Sequence, residues 1–142
     1  MMEGNTMAKY RSRFSRKSKY YISKHAFLTA FHFSLNYNDW KQEHDLNVGL
    51  THGGNNEGSG SGIGDPTATQ GIRLADLANK INLIEQAAHD ADPVIADYIL
   101  LYVTREDMTF DKLKALDLPC ERDMFYDRRR KYYWLLSQRL GL

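Results

Sequence analysis

The chain is 142 residues long, 42% hydrophobic and 26% charged, which is the size of one domain or of a small domain with an appended arm. Its single cysteine, Cys120, excludes an intrachain disulfide and so a disulfide-stapled secreted domain; no apolar run approaches the roughly 18 residues of a membrane span. The formal net charge of +1 hides a segregation: residues 1–24 carry seven Lys/Arg against Glu3 alone, residues 120–142 six against three acids, and residues 25–119 six against fourteen acids. Basic ends around an acidic waist suit a protein that presents its ends to a polyanion, because Lys/Arg placed near phosphates release condensed counterions. No signal-peptide pattern follows Met1, so the cytoplasm is the expected location.

In chain order, residues 1–19 are polar, basic and aperiodic and read as a flexible arm. Its Lys9, Arg11, Arg13, Arg16, Lys17 and Lys19 suit either a phosphate backbone or groove, or a solvated tail. Residues 20–50 are expected to form an N-terminal helical piece. A helix from Ser23 puts Phe27, Leu28, Phe31 and Leu35 on one face, and a shorter one over Tyr37 to Leu46 buries Trp40. Residues 51–64 follow as a glycine-rich linker, with six of the ten glycines between His52 and Gly64, dividing that piece from the rest.

Residues 65–142 read as the second helical unit. Asp65-Pro66-Thr67 is a sharp helix start, with a capping carboxylate and then proline where its missing N–H costs nothing. The helix places Leu74, Leu77, Ala78, Ile81, Ile84 and Ala88 on one stripe and runs to about Asp90 despite Gly71. Asp92-Pro93 signals another start, with Val94, Ile95, Tyr98, Ile99 and Tyr102 inward, and Thr104 to Met108 connects onward. The expected fold is all-α, a small helical bundle of five or six helices.

The segment 109–140 carries the most information. Thr109 can cap a helix in which Phe110, Leu113 and Leu116 recur, and Asp117-Leu118-Pro119 stops it. A long helix then puts Phe125, Tyr132, Leu136 and Leu140 on one stripe, with Leu135 at its edge and Asp127-Arg128-Arg129-Arg130-Lys131 in its middle. Two helices joined by a three- or four-residue turn, the second one basic, outline a helix-turn-helix; an ordinary helical hairpin with a solvated charge run fits the same pattern.

Four segments, Lys19-Tyr-Tyr-Ile-Ser-Lys-His25, Gly64-Asp-Pro-Thr-Ala68, Ile84-Glu-Gln-Ala-Ala88 with Asp92-Pro93 and Ala96-Asp-Tyr-Ile99, and Leu118-Pro-Cys-Glu-Arg-Asp-Met-Phe-Tyr126 leading into Arg128-Arg-Arg-Lys-Tyr-Tyr-Trp-Leu-Leu136, stand out together. They resemble the ArpU/RinA-like group of late-gene transcriptional regulators, phage and prophage proteins of Gram-positive bacteria. The resemblance spans residues 19–140 and is most specific in the Phe-Tyr-x-x-Arg-Arg block after Leu-Pro-Cys. It implies a sigma-factor-like helix-turn-helix, duplex DNA as partner and a bacterial host cell as location. The arm and the extra N-terminal piece depart from the shortest members.

The candidate DNA face is Arg122, Tyr126, Arg129, Arg130 and Lys131, since arginine pairs with guanine edges or phosphates and the early turns of a recognition helix reach the bases. Arg129 lies only about 40° from the apolar stripe and could instead pair with the preceding helix. Trp134, opposite that stripe, reads as buried against the N-terminal piece or as a homodimer contact, Tyr132 and Tyr133 as core and rim, and Cys120 as a small start-of-helix residue. The five histidines show no pair with a third ligand at a metal-site spacing, and no phosphate loop or nucleophile elbow is present, so neither metal, cofactor nor enzyme activity is expected. Two rival readings remain at this point. One is a phage-encoded inhibitor or adaptor docking on a host nucleoprotein such as RNA polymerase or a defence complex; the other is the small subunit of a packaging terminase.

Overall fold

The computed structural model describes residues 18–53 and 66–142. Residues 1–17 of the expected arm, residues 54–64 of the expected linker and the capping Asp65 lie outside them. Among the described residues there are six helices and no strand: α1 (Lys24–Leu35), α2 (Tyr37–Gly53), α3 (Pro66–Ala91), α4 (Ala96–Val103), α5 (Phe110–Ala115) and α6 (Arg122–Arg139). The chain is therefore all-α, and no helix among these residues is long and apolar enough to cross a membrane.

Ser23 starts α1 as its residue type requires, accepting the Ala26 N–H on its hydroxyl at 3.2 Å. Phe27, Ala30, Phe31 and Ser34 form the buried stripe, with Leu28 and Leu35 at its edges. A single residue, Asn36, turns the chain into α2, which runs to Gly53 and so takes in the first three residues of the expected linker. Trp40 is half-buried, edge-on to Phe33 with ring centroids 4.9 Å apart and capped by the Lys80 ammonium. α2 lies antiparallel on α3: Tyr37 donates to Glu85, Arg73 grips Glu43 through two 2.8 Å bonds, and Gln70 reaches Asn47. Burial and the Glu85 carboxylate together push the Tyr37 phenol above its ordinary range.

The N-terminal piece does not stand apart. Phe27 and Phe31 of α1 share one core with Ile81, Ile84, Ala87 and Ala88 of α3, Ile99 and Tyr102 of α4, and Tyr132, Tyr133 and Leu136 of α6. Tyr133 meets Phe27 edge-on at 5.0 Å. Next to it the Ser34 hydroxyl donates to the Ala30 carbonyl at 2.8 Å, which leaves its oxygen to accept the Tyr132 phenol at 2.7 Å. Both buried polar groups are thereby satisfied. Ala87, Ala88 and Ala91 keep the α3 side of this seam small, so bulky rings from α6 fit against it.

Several expected inward residues are placed differently. Ala78 is exposed, and Ala87 and Ala91 take buried places on the α3 stripe. Val94 points outward because α4 begins at Ala96: Asp92 does not cap a helix at Pro93 but accepts the Val94 N–H at 2.9 Å, closing a turn. Leu116 is exposed because α5 ends at Ala115.

α5 begins as expected, with the Thr109 hydroxyl accepting the Lys112 N–H. Its end is set by Asp117 rather than by Pro119. Asp117 adopts the left-handed conformation, φ 71°, its N–H reaches the Lys114 carbonyl, and the Leu118 N–H reaches back to Leu113 at 3.1 Å. This is a Schellman closure, with buried Leu118 and Leu113 supplying its apolar contact. Six residues, 116–121, separate α5 from α6, more than the three or four expected.

A β-carbon at φ 71° is strained, and glycine removes that strain at the cost of extra freedom in the unfolded chain. Asp117→Gly should raise stability by about 0.5–1 kcal/mol and Asp117→Val should lower it, read from urea midpoints. A lower midpoint for the glycine variant would contradict this account of the turn.

Candidate nucleic-acid interface

α6 is packed along most of its length. Phe125, Arg129, Tyr132, Tyr133, Leu136 and Ser137 are buried: α3 and α1 pack along the helix, Tyr102 of α4 meets Phe125 and Arg129, Phe110 of α5 meets Phe125, and no residue from 125 to 137 is fully exposed. The first turn, Arg122, Asp123 and Met124, is bare, and so is its cap residue Glu121, whose side chain caps nothing.

Two of the expected site residues come together at this end. The Arg122 guanidinium lies over the Phe110 ring at 4.6 Å, 3.4 Å from Asp111 and 3.1 Å from the phenol oxygen of half-buried Tyr126. α5 thus aims Arg122 through a ring and a carboxylate, two partners the sequence reading did not assign to it.

Arg129 has to be removed from the candidate face. It is 4% exposed, its guanidinium stacks on Tyr126 at 4.5 Å, and it donates to the Tyr102 phenol at 2.9 Å while its Nε has no partner. The ring faces and one phenol take the place of the carboxylate a buried cation normally finds. A nucleic acid cannot reach it in this packing.

Arg130 and Lys131 lie further round the helix, about 80° and 180° from Arg122, and both are half-buried. Arg130 sits 4.0 Å from Asp127, whereas Lys131 has no ion pair among the described residues. Arg128 is anchored between Asp92 at 3.0 Å and Asp127 at 2.6 Å, and the Asp92 hydrogen bond pushes its pKa up. Arg139 pairs with Asp90 at 2.7 Å, holding that carboxyl below the usual range. Lys19 lies over the Tyr20 ring, and Arg11, Arg13, Arg16 and Lys17 lie outside the described residues.

Trp134 is half-buried with its ring 5.5 Å from Tyr20, the contact with the N-terminal piece that was one of its two readings. Tyr132 and Tyr133 are both core. Burial pushes the Cys120 thiol above its ordinary range, so the start of α6 does not activate it. Among the described residues no three His, Cys, Asp or Glu side chains stand together as metal ligands.

The charge of the folded part is nearly balanced, with fourteen Lys/Arg against fifteen Asp/Glu over residues 18–53 and 66–142, whereas residues 1–17 hold five Lys/Arg against Glu3. The excess of positive charge in the sequence therefore lies in residues 1–17. At the bare end of α6 the exposed carboxylates of Glu121 and Asp123 flank Arg122. No family model matches the chain, and no curated protein or solved structure matches it.

Arg129 should separate a structural role from a binding one. Arg129→Ala leaves a cavity and removes one hydrogen bond from the Tyr102 phenol and should cost about 2–5 kcal/mol, whereas Arg129→Met keeps the volume without a charge and should be neutral or stabilising. Thermal unfolding of both variants checks this; an unfolded methionine variant would mean that the cation itself is needed.

Proposed function

We propose that this chain is a non-enzymatic DNA-binding protein, a transcriptional regulator of phage or prophage type, that meets duplex DNA with the first turn of α6. The single observation that carries the reading is the exposure pattern of α6. Its first turn stands free beside a short capped helix and the rest is clamped into the core, as a recognition helix needs when its N-terminal residues reach base edges and its body is held. The resemblance of residues 19–140 to the ArpU/RinA-like group supports the regulatory role.

In this reading Arg122, steadied on Phe110 and Tyr126, reads a base edge. Asp111 holds it only at 3.4 Å, so exchanging that contact for guanine O6 and N7 gives up little. Glu121 and Asp123 repel phosphates but can accept a hydrogen bond from a cytosine amino group. Arg130, about 80° from Arg122, serves the backbone at the helix flank, Lys131 on the opposite side does not, and Lys9, Arg11, Arg13, Arg16 and Lys17 supply most of the counterion release.

The full chain should bind duplex DNA in fluorescence anisotropy, and its affinity should fall steeply with salt. Replacing the five Lys/Arg of residues 1–17 by glutamine should flatten the log–log salt slope by up to about 4. Arg122→Ala should instead leave the slope nearly unchanged and relax preference at one base pair, about 1–3 kcal/mol of discrimination, in a selection from random duplexes. No binding at about 50 mM salt would sink the reading, because counterion release is strongest there.

A further inference from the structure

Rings and cations from α4, α5 and α6 form a ladder beside the bare turn of α6. The Tyr102 phenol of α4 accepts Arg129 at 2.9 Å, and the Arg129 guanidinium stands 5.6 Å from the centre of that ring. Of the charged and aromatic groups around the Tyr126 ring, Arg129 is the nearest at 4.5 Å, against Arg122 at 5.8 Å, Phe125 at 5.9 Å and Phe110 at 6.0 Å. Arg122 has a nearer ring of its own in Phe110, 4.6 Å away, and meets Tyr126 through a 3.1 Å bond to the phenol oxygen. Two guanidiniums therefore share the Tyr126 ring, and the buried one holds the closer place.

Burying a guanidinium with its Nε unpaired, and with no ion pair among the described residues, costs stability that an apolar side chain of the same volume would not. Breaks of this kind concentrate at functional sites. Arg129 cannot touch a nucleic acid, but its charge reaches Arg122 through the ring they share. A ring that already carries one cation attracts a second less, and the repulsion between the two is screened less beside the core than in water. The bridge from Arg122 to Asp111, 3.4 Å long and with the carboxylate 87% exposed, is too weak to fix the guanidinium by itself.

We propose that Arg129 is a positioning residue for Arg122: by holding the Tyr126 ring with its own charge, it keeps the Arg122 guanidinium on Phe110. The consequence for base choice rests on the DNA reading above. A planar fork that pairs with guanine O6 and N7 through two parallel bonds has to arrive in the plane of the base, so an Arg122 seated on Tyr126 instead reads that base pair poorly. Arg129 thereby acts on sequence preference without touching DNA.

The first measurement contains no DNA and so stands apart from that reading. In the full chain, NOEs should join the Arg122 δ-methylene protons to the Phe110 ring. In Arg129→Met, which keeps the volume and removes the charge, those NOEs should be lost and NOEs from Arg122 to the Tyr126 ring should grow, while the Phe110 to Phe125 NOEs stay. Unchanged Arg122 NOEs would overturn the proposal. Loss of the Phe110 to Phe125 NOEs as well would overturn it too, because Arg129 would then act only by holding the core together. Should that variant not fold, Arg122→Ala, a change at an exposed residue, decides: the Arg129 Nε–H resonance should move upfield as its hold on the Tyr126 ring tightens, and a resonance that stays in place would overturn the proposal. In a selection from random duplexes, Arg129→Met should lose the preference at the same base pair as Arg122→Ala, keep the salt slope, and add nothing in the double variant. Full preference at that base pair would overturn the proposal, whereas a wild type that binds no DNA would sink the DNA reading and leave the NOEs to decide this one.

Discussion

The burial of α6 between α3 and α1 is the constraint on which the rest of the structure depends. Tyr132 and Tyr133, adjacent in sequence, point toward different partners: one closes a hydroxyl pair with Ser34, and the other packs its ring against Phe27. Together they fix the rotation of the helix about its axis. Arg129 follows from that rotation, because it lies between Phe125 and Tyr132 on the buried side and has to find aromatic faces in place of water. So does the exposure of Arg122, Asp123 and Met124, the one stretch of α6 ahead of the packed surface.

This arrangement changes what the basic run contributes. Four consecutive cations in a helix suggest a charged surface, yet Arg128 is committed to Asp92 and Asp127, Arg129 to Tyr102, and Arg130 stands beside Asp127. These contacts pin α6 to the corner before α4 and to α4 itself. The run acts chiefly as a structural fastening, and the unbalanced positive charge of the chain sits in its first seventeen residues.

Much of the fold was legible in the sequence because its signals are local. The Ser23 and Thr109 hydroxyls cap the helices they were expected to cap, Pro66 opens α3, and Phe27, Phe31, Leu77, Ile81, Ile84, Ile99, Tyr102, Phe125 and Leu136 are buried as their spacing requires. What escaped depended on tertiary partners or on one-residue backbone choices. Val94 and Leu116 were misplaced because α4 starts late and α5 stops early, each through a turn closed by an aspartate. The apolar stripe on α6 is wider than its periodicity suggested because α1 covers a second side, and a glycine-rich stretch between helices says nothing about whether the helices around it pack together. At the candidate site Arg122 and Tyr126, expected together from their position in the first turns, do touch there. The burial of Arg129 was hinted at only by its nearness to the stripe, since its charge argued for solvent.

The most direct test of the account is an amide NMR titration of the full chain with duplex DNA. The account predicts that within α6 the large shifts are confined to residues 121–126, with further shifts in the N-terminal arm, and that the amides of 132–137 stay in place. Shifts centred on 129–137 would mean that α6 leaves its core seat to bind, and no shift at Arg122 would mean that its bare first turn is not the contact surface; either would contradict the account.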